Sequence, residues 1–249
     1  MSNLVSIITP SFNSSKFIVE CVNSVISQTF QNWEMIIVDD CSNDNSKDII
    51  SDLTEKDERL QSVFLEENVG AAEARNVAIK QSKGKYIAFL DSDDIWNEDK
   101  LEKQITFMND NDIAFSFTSY QSISEDGKTK YSVIISPKKM SYHSYLKNTI
   151  IGCLTVIIDK EKTGDFQMPN IRSSHDMALW LLIMKRGFSA YGLDENLAYY
   201  RIVSTSNTSK KWKAAKEVWD VYRKQEKLNI LYSIYCFIGY AFNAIKKRV

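Results

Sequence analysis

The densest chemistry in the chain is three carboxylates, Asp91, Asp93 and Asp94, set within four positions directly after the apolar run Tyr86 to Leu90. Like charges that close repel one another and are costly to desolvate unless a cation sits among them. Hard oxygen donors suit Mn²⁺ or Mg²⁺, and a divalent ion carrying a diphosphate would relieve the repulsion. Asp91 and Asp93, with Ser92 between them, are therefore read as a metal and nucleotide site. The competing reading is an Asp-rich turn that caps a helix, and Asp94 is assigned that role ahead of a helix expected over Glu98 to Asn109.

Two other polar clusters follow short apolar runs in the same way. Val5 to Thr9 leads into Pro10-Ser11-Phe12-Asn13, and Glu34 to Val38 leads into Asp39-Asp40. An aromatic ring at 12 can stack on a base, and a carboxylate at 40 can accept from a pyrimidine N–H. The runs themselves read as strands, because short unbroken apolar segments fit a sheet covered on both faces. Segments of helical spacing separate them, Lys16 to Gln28, Asp44 to Lys56 and Ala71 to Gln81, with a further strand expected over Gln61 to Leu65. Such βαβα alternation predicts a largely parallel sheet. Its strand ends share one edge, where open α/β sheets place their ligands, so the three clusters should line one cleft. Neither GxGxxG nor a P-loop follows the first strand, so a nucleotide here would ride on a metal rather than on a glycine-rich loop.

The second half is less regular. Ala114 to Tyr120 and Tyr131 to Ile135 read as strands flanking the turn Glu125-Asp126-Gly127, which predicts antiparallel additions. Cys153 to Ile158 is another apolar run, and Asp176 to Arg186 reads as a helix stopped by Gly187. The fold class expected is α/β, and 249 residues suffice for a full core. A net charge of −1, with no basic segment interleaved with aromatics, argues against a nucleic-acid partner. Cys21, Cys41, Cys153 and Cys236 lie far apart without a CxxC pair, which argues against zinc and against a disulfide framework. The first residues carry no basic, cleavable leader, so the expected compartment is the reducing cytoplasm.

The C-terminal segment differs. Residues 209–249 hold ten Lys or Arg against three Asp or Glu. Within it, Leu228 to Ile245 is free of charge and rich in tyrosine and phenylalanine. Eighteen uncharged residues are the lower limit for a bilayer span, and Asn229, Ser233, Gly239 and Asn243 make this one poorly hydrophobic. A helix lying in the membrane interface, with Lys246, Lys247 and Arg248 on anionic lipid, is the expected arrangement. Docking of the helix on the protein's own core or on a second subunit, a homodimer, is the alternative.

Several short motifs occur in order over about the first 110 residues: Thr9-Pro10-Ser11-Phe12-Asn13, Gln28-Thr29-Phe30, Trp33-Glu34, Ile37-Val38-Asp39-Asp40-Cys41-Ser42, Asn68-Val69-Gly70 through Arg75-Asn76, and Asp91-Ser92-Asp93-Asp94-Ile95-Trp96. In this order and spacing they resemble the family 2 glycosyltransferases of the GT-A fold, inverting enzymes that use nucleotide sugars. Ser174-His175-Asp176 through Trp180-Leu181-Leu182 is similar to the family's Glu-Asp-x-x-x-Trp-Leu helix, and Tyr199-Tyr200-Arg201 also fits. Within the family the likeness is to enzymes of bacterial cell-wall and capsule assembly, teichuronic acid included, and it reaches into the tail around Lys211 to Lys216.

The resemblance implies roles. Pro10, Phe12, Asn13, Asp40, Gly70, Arg75, Asn76, Asp91 and Ser92 would form the nucleotide site, with Asp40 favouring uracil, hence a UDP-sugar. Asp93, with Asp91, would ligate Mn²⁺ or Mg²⁺. Asp176 would be the general base, its competing role being a helix N-cap, and His175, Trp180 and Arg201 would face the acceptor, a saccharide or undecaprenyl-linked saccharide. The expected layout is a nucleotide-sugar half over 1–110, an acceptor half over 111–208 and a tail over 209–249. The enzyme would work peripherally on the inner face of the cytoplasmic membrane.

Two residues depart from the family pattern. His175 stands where Glu or Gln is usual, and Val203 stands where many relatives carry a His that helps hold the metal or diphosphate. The Gln-x-x-Arg-Trp motif of processive members is absent, which implies one sugar added per encounter. The other classes weighed are an inactive homologue acting as a binding partner, against which intact Asp40, Asp93 and Asp176 count, and a nucleotidyltransferase, which would need a basic glycine-rich loop after the first strand.

Overall fold

The computed structural model describes residues 3–171, 173–203 and 211–246. Strands β1 (Val5–Ser11), β2 (Trp33–Asp39), β3 (Leu60–Phe64) and β4 (Tyr86–Phe89) lie parallel in the order β3-β2-β1-β4. Every residue of β1, β2 and β4 is buried, because helices cover both faces. Alternate side chains divide between two cores. Val5, Ile7, Met35 and Ile37 meet α1 (Ile18–Ile26), α2 (Ser46–Thr54) and α4 (Lys100–Asp110). Ile8, Ile36 and Val38 meet α3 (Ala71–Gln81) and α7 (His175–Lys185) on the other side. Full burial of each such aliphatic side chain contributes about 1.5–3 kcal/mol, so the period-2 division is what holds the sheet in register.

The Trp33-Glu34 motif is structural. The Glu34 carboxylate accepts from Ser6 Oγ at 2.6 Å and from the Lys83 N–H at 2.7 Å, which ties together the entrances of β1, β2 and β4. Gly84 belongs to the same knot, since a Cβ there would lie 2.6 Å from Ser6 Oγ.

Beyond β4 the sheet continues through β9 (Ile157–Asp159), β6 (Phe115–Ile123), β10 (Ala190–Arg201) and β5 (Ile95–Trp96). Strand β9 runs antiparallel to both β4 and β6, and β7 (Lys130–Ile134) pairs antiparallel with β6 across the Gly127 turn. The short β8 (Lys139–Met140) pairs with β10. Strand β10 has no counterpart in the sequence reading. Its middle, Asp194-Glu195-Asn196, is polar, and its register against β6 shifts there, so the alternation that marks a strand is broken by a bulge. The run from Cys153 is also mixed: Cys153–Thr155 forms a 3₁₀ turn before β9 begins.

Short helices α5 (Tyr142–Tyr145) and α6 (Lys160–Thr163) complete the body. The C-terminal segment forms α8 (Lys211–Asp220), a π-helical turn (Val221–Gln225) and α9 (Ile230–Lys246). Val218, Val221, Tyr222 and Cys236 are buried in the core that α3 and α7 share, and Trp219 meets Phe237 edge-on at 5.5 Å. The boundary expected at 208–209 lies outside the described residues.

Candidate active site

The ends of β1, β2 and β4 lie on one edge, with Ser11 in register with Asp39 and Ile8 with Phe89. A cleft of about 150 Å³ opens there, lined by Pro10, Phe12, Asp40, Arg75 and Asp91 among others. Phe12 is half exposed, with its ring free to stack. Asp40 is buried and rigidly held: Oδ1 accepts from the Val69 N–H at 2.7 Å and Oδ2 from the Gly70 N–H at 2.8 Å. Gly70 adopts φ 86° at the N-terminus of α3, a conformation other residues rarely take, and this turns its N–H toward the carboxylate. Each carboxylate oxygen retains a lone pair for a further donor. Asp39 points elsewhere and accepts from the Ser42 N–H and hydroxyl at 2.9 and 2.5 Å.

The three carboxylates after β4 have three different environments. Asp91 forms an ion pair with Arg75. Asp94 is fully buried and accepts from the Arg201 N–H at 2.9 Å; burial, then Asp93 and Asp91, hold its carboxyl well above the usual range. It does not cap the next helix. Strand β5 intervenes and pairs with β10, which brings Asp94 against Arg201, and the residue preceding α4 is Asp99. Asp93 forms no ion pair among the described residues, and burial together with Asp91 pushes its carboxyl up to about 6. That is the signature of a site short of positive charge. Among the described residues no three metal-binding side chains converge, so the protein offers a divalent ion two carboxylates at most, Asp93 and the second oxygen of Asp91. This donor set fits Mg²⁺ or Mn²⁺ that completes its shell with diphosphate and water.

Arg75 links the metal side to α7. It is buried, with Nη2 on Asp91 and Nη1 donating to His175 Nε2 at 2.7 Å, while its Nε–H has no protein partner. Since guanidinium only donates, a neutral His175 carries its proton on Nδ1. Burial, then the Arg75 charge, push His175 below its usual range. Asp176 follows in the first turn of α7 and accepts no side-chain hydrogen bond or ion pair among the described residues. The residue at the N-cap position is Ser174, in the left-handed region at φ 57°, so the capping role does not fall to Asp176. Arg75 thus lines the cleft within electrostatic reach of both Asp93 and Asp176.

Residues 6–164 match the sequence model of the Glycosyl transferase family 2. The chain belongs to that family. The glycosyltransferase is 53% identical over 246 residues to TuaG of Bacillus subtilis (strain 168), a glycosyltransferase named for teichuronic acid biosynthesis, covering 99% of this chain and 98% of TuaG. It is 39% identical over 246 residues, 98% of this chain and 95% of the relative, to the Escherichia coli UDP-Glc:alpha-D-GlcNAc-diphosphoundecaprenol beta-1,3-glucosyltransferase WfgD. Among solved structures, S. aureus TarS 1–349 in complex with UDP matches with a TM-score of 0.72 at 21% identity, over 95% of this chain and 70% of that one. The mannosyltransferase PcManGT from Pyrobaculum calidifontis, in complex with GDP-Man and Mn²⁺, matches at 0.73 and 15% identity, over 98% and 70%. These likenesses bear out the α/β GT-A fold.

Four residues expected in the glycosyltransferase's site make scaffold contacts, and three of them, Asn76, Trp180 and Arg201, are buried. Asn13 joins two loops, its Oδ1 accepting from the Asn43 N–H at 2.8 Å and its own N–H donating to Ser42 Oγ at 2.9 Å. Asn76 spends its amide on the Met168 backbone, at 3.0 and 2.7 Å. Arg201 is a buried brace: Nε donates to the Asp93 carbonyl at 2.8 Å, Nη1 to the Glu125 carbonyl at 2.9 Å, and Nη2 pairs with Glu20 at 2.6 Å. It holds the turn that carries the carboxylates. Trp180 lies on the core side of α7, fully buried between Phe89 and Phe115 at 5.4 Å each. Trp180→Ala should therefore cost about 3–5 kcal/mol of stability. Chemical denaturation checks this; a variant of unchanged stability that binds acceptor more weakly would return Trp180 to the site.

Proposed function

We propose that the enzyme transfers one sugar, with inversion, from a UDP-sugar to a hydroxyl of a saccharide or undecaprenyl-linked saccharide during assembly of a bacterial surface polysaccharide. The observation that carries this reading is that two carboxylates without an ion pair among the described residues, Asp93 and Asp176, both lie within electrostatic reach of the buried Arg75 that lines the cleft. Phe12 stacks on the uracil, and the preoriented Asp40 accepts from its N–H. Arg75, through its unpartnered Nε–H, supports the base or phosphates. Asp93 and Asp91 would hold Mn²⁺ or Mg²⁺, which would supply positive charge for the departing diphosphate. Asp176 takes the proton of the acceptor hydroxyl as its oxygen bonds to the anomeric carbon and the bond to UDP breaks, through an oxocarbenium-like transition state. The names of the two relatives favour a surface-glycan product and a lipid-diphosphate acceptor. A panel of nucleotide sugars assayed for free nucleotide, with and without Mn²⁺, tests the reading. Metal-dependent release of UDP is expected, and release from GDP-sugars alone overturns the donor assignment.

The tail supports a place on the inner membrane face. No helix among the described residues is long and apolar enough to cross a membrane. Helix α9 instead docks one face on the body through Cys236, Phe237 and Tyr240, and Asn243 donates to the Lys147 carbonyl at 3.0 Å. Its other face exposes Leu231, Tyr235, Ile238 and Phe242, spaced as one helical stripe, with Leu231 77% exposed. Such a stripe suits an anionic bilayer surface, especially beside the basic C-terminal run, of which Lys247 and Arg248 lie outside the described residues. Leu231→Ser with Phe242→Ser should release the protein from anionic vesicles in co-sedimentation, and high salt should weaken binding of the unaltered chain. Equal sedimentation of the two proteins would leave the stripe to a second subunit.

A further inference from the structure

Arg75 is a buried cation within electrostatic reach of Asp91 and Asp176, yet among the described residues it pairs with Asp91 alone. An N–H of a buried guanidinium that finds no acceptor keeps its desolvation cost, so each carboxylate in reach competes for it. Here Nη2 goes to Asp91, and Nη1 donates to His175 Nε2 at 2.7 Å. Three elements meet in that chain of contacts: the turn after β4, helix α3 and the first residue of α7. His175 and Asp176 are consecutive in the first turn of α7, and successive residues of a helix point about 100° apart. The ring therefore reaches Arg75 while the next side chain leaves the helix in another direction.

We infer that His175 is a positioning residue whose imidazole aims the Arg75 guanidinium at Asp91 and keeps it off Asp176, so that the carboxylate on α7 stays free to take a proton. The inference rests on the roles proposed above for Arg75 and Asp176. An imidazole suits this task because Nε2 accepts without adding charge, which leaves the positive charge of Arg75 to Asp91 and to the cleft it lines. Burial, then the Arg75 charge, lower the proton affinity of the ring and so favour its neutral form. A leucine at 175 would fill similar space and leave Nη1 without its acceptor. The guanidinium would then turn to the other carboxylate in reach, Asp176. Such a shift disturbs the donor side and the base together, since one side chain serves both.

The test has two arms, both on the full chain. Its only histidines are His143 and His175, so nitrogen-15 labelling of histidine reads each ring by NMR, with His175→Gln identifying the signal. At neutral pH the parent should carry the His175 proton on Nδ1 and leave Nε2 bare. A proton on Nε2 overturns the inference without recourse to any loss of function. In the second arm, His175→Leu should weaken UDP binding by about tenfold and lower kcat by at least as much, with the acceptor KM unchanged. His175→Gln, whose carboxamide oxygen can accept from Nη1, should recover most of both. A glutamine variant as impaired as the leucine one overturns the inference. So does a leucine variant that loses only stability, or one that raises the acceptor KM while UDP affinity holds, which would make His175 an acceptor contact. Failure of the parent to bind UDP would instead count against the donor site itself.

Discussion

Replacement of Asp176 by asparagine is expected to lower the transfer rate by about 10²- to 10⁴-fold, the range for loss of a positioned general base. Asparagine keeps the shape of the side chain and cannot take the proton. Affinity for UDP should barely change, because Arg75, on the nucleotide side, is already committed to Asp91 and His175. Fold and stability should also persist, since among the described residues Asp176 has no side-chain hydrogen bond to lose and Ser174 holds the N-cap position. Initial rates with UDP-sugar and acceptor, alongside UDP titration, separate the two effects. A variant with weakened UDP binding and an unchanged turnover number would place this carboxylate on the donor side.

Asp93→Asn should abolish metal-stimulated turnover and at the same time stabilise the metal-free protein. In that protein the folded state holds the Asp93 proton up to about pH 6, whereas the unfolded chain releases it near the ordinary carboxylate value. Between those values the folded state binds more protons, so stability falls as pH rises from about 4 through 6. Asparagine removes that loss, on the order of 2 kcal/mol at neutral pH, or a rise in Tm of roughly 2–4 °C per kcal/mol. Proton and metal compete for the same oxygens, so Mn²⁺ affinity should drop as pH falls below about 6. Calorimetry of both proteins across pH 4–8, with and without Mn²⁺, checks each part. A variant with full Mn²⁺-dependent activity, or with a lower Tm at neutral pH, would falsify the assignment.

The amino-acid sequence by itself determined the parallel half of the sheet and the edge on which the site lies. Unbroken runs such as Tyr86 to Leu90 announce strands covered on both faces, and a helix such as Ala71 to Gln81 announces itself through local spacing. Both signals arise between near neighbours, and so does the carboxylate crowding at Asp91, Asp93 and Asp94. Whether each of those carboxylates serves the ligand or the scaffold was decided only in three dimensions. Arg75 neutralises Asp91, the backbone of Arg201 captures Asp94, and Asp93 is left over. The Arg201 contacts to Asp93, Asp94 and Glu20 bridge 108, 107 and 181 residues. They exist because β10 inserts beside β6 despite a polar, bulged middle that hides it from any pattern search. Trp180 and Asn76 were misplaced for a related reason: a motif records which residues recur, and not whether a helix turns them toward the core or the cleft. The tail shows the same division. Its composition marked an amphipathic helix, but which side chains dock and which stay exposed depended on the surface that Lys147 and the α8 helix present to it.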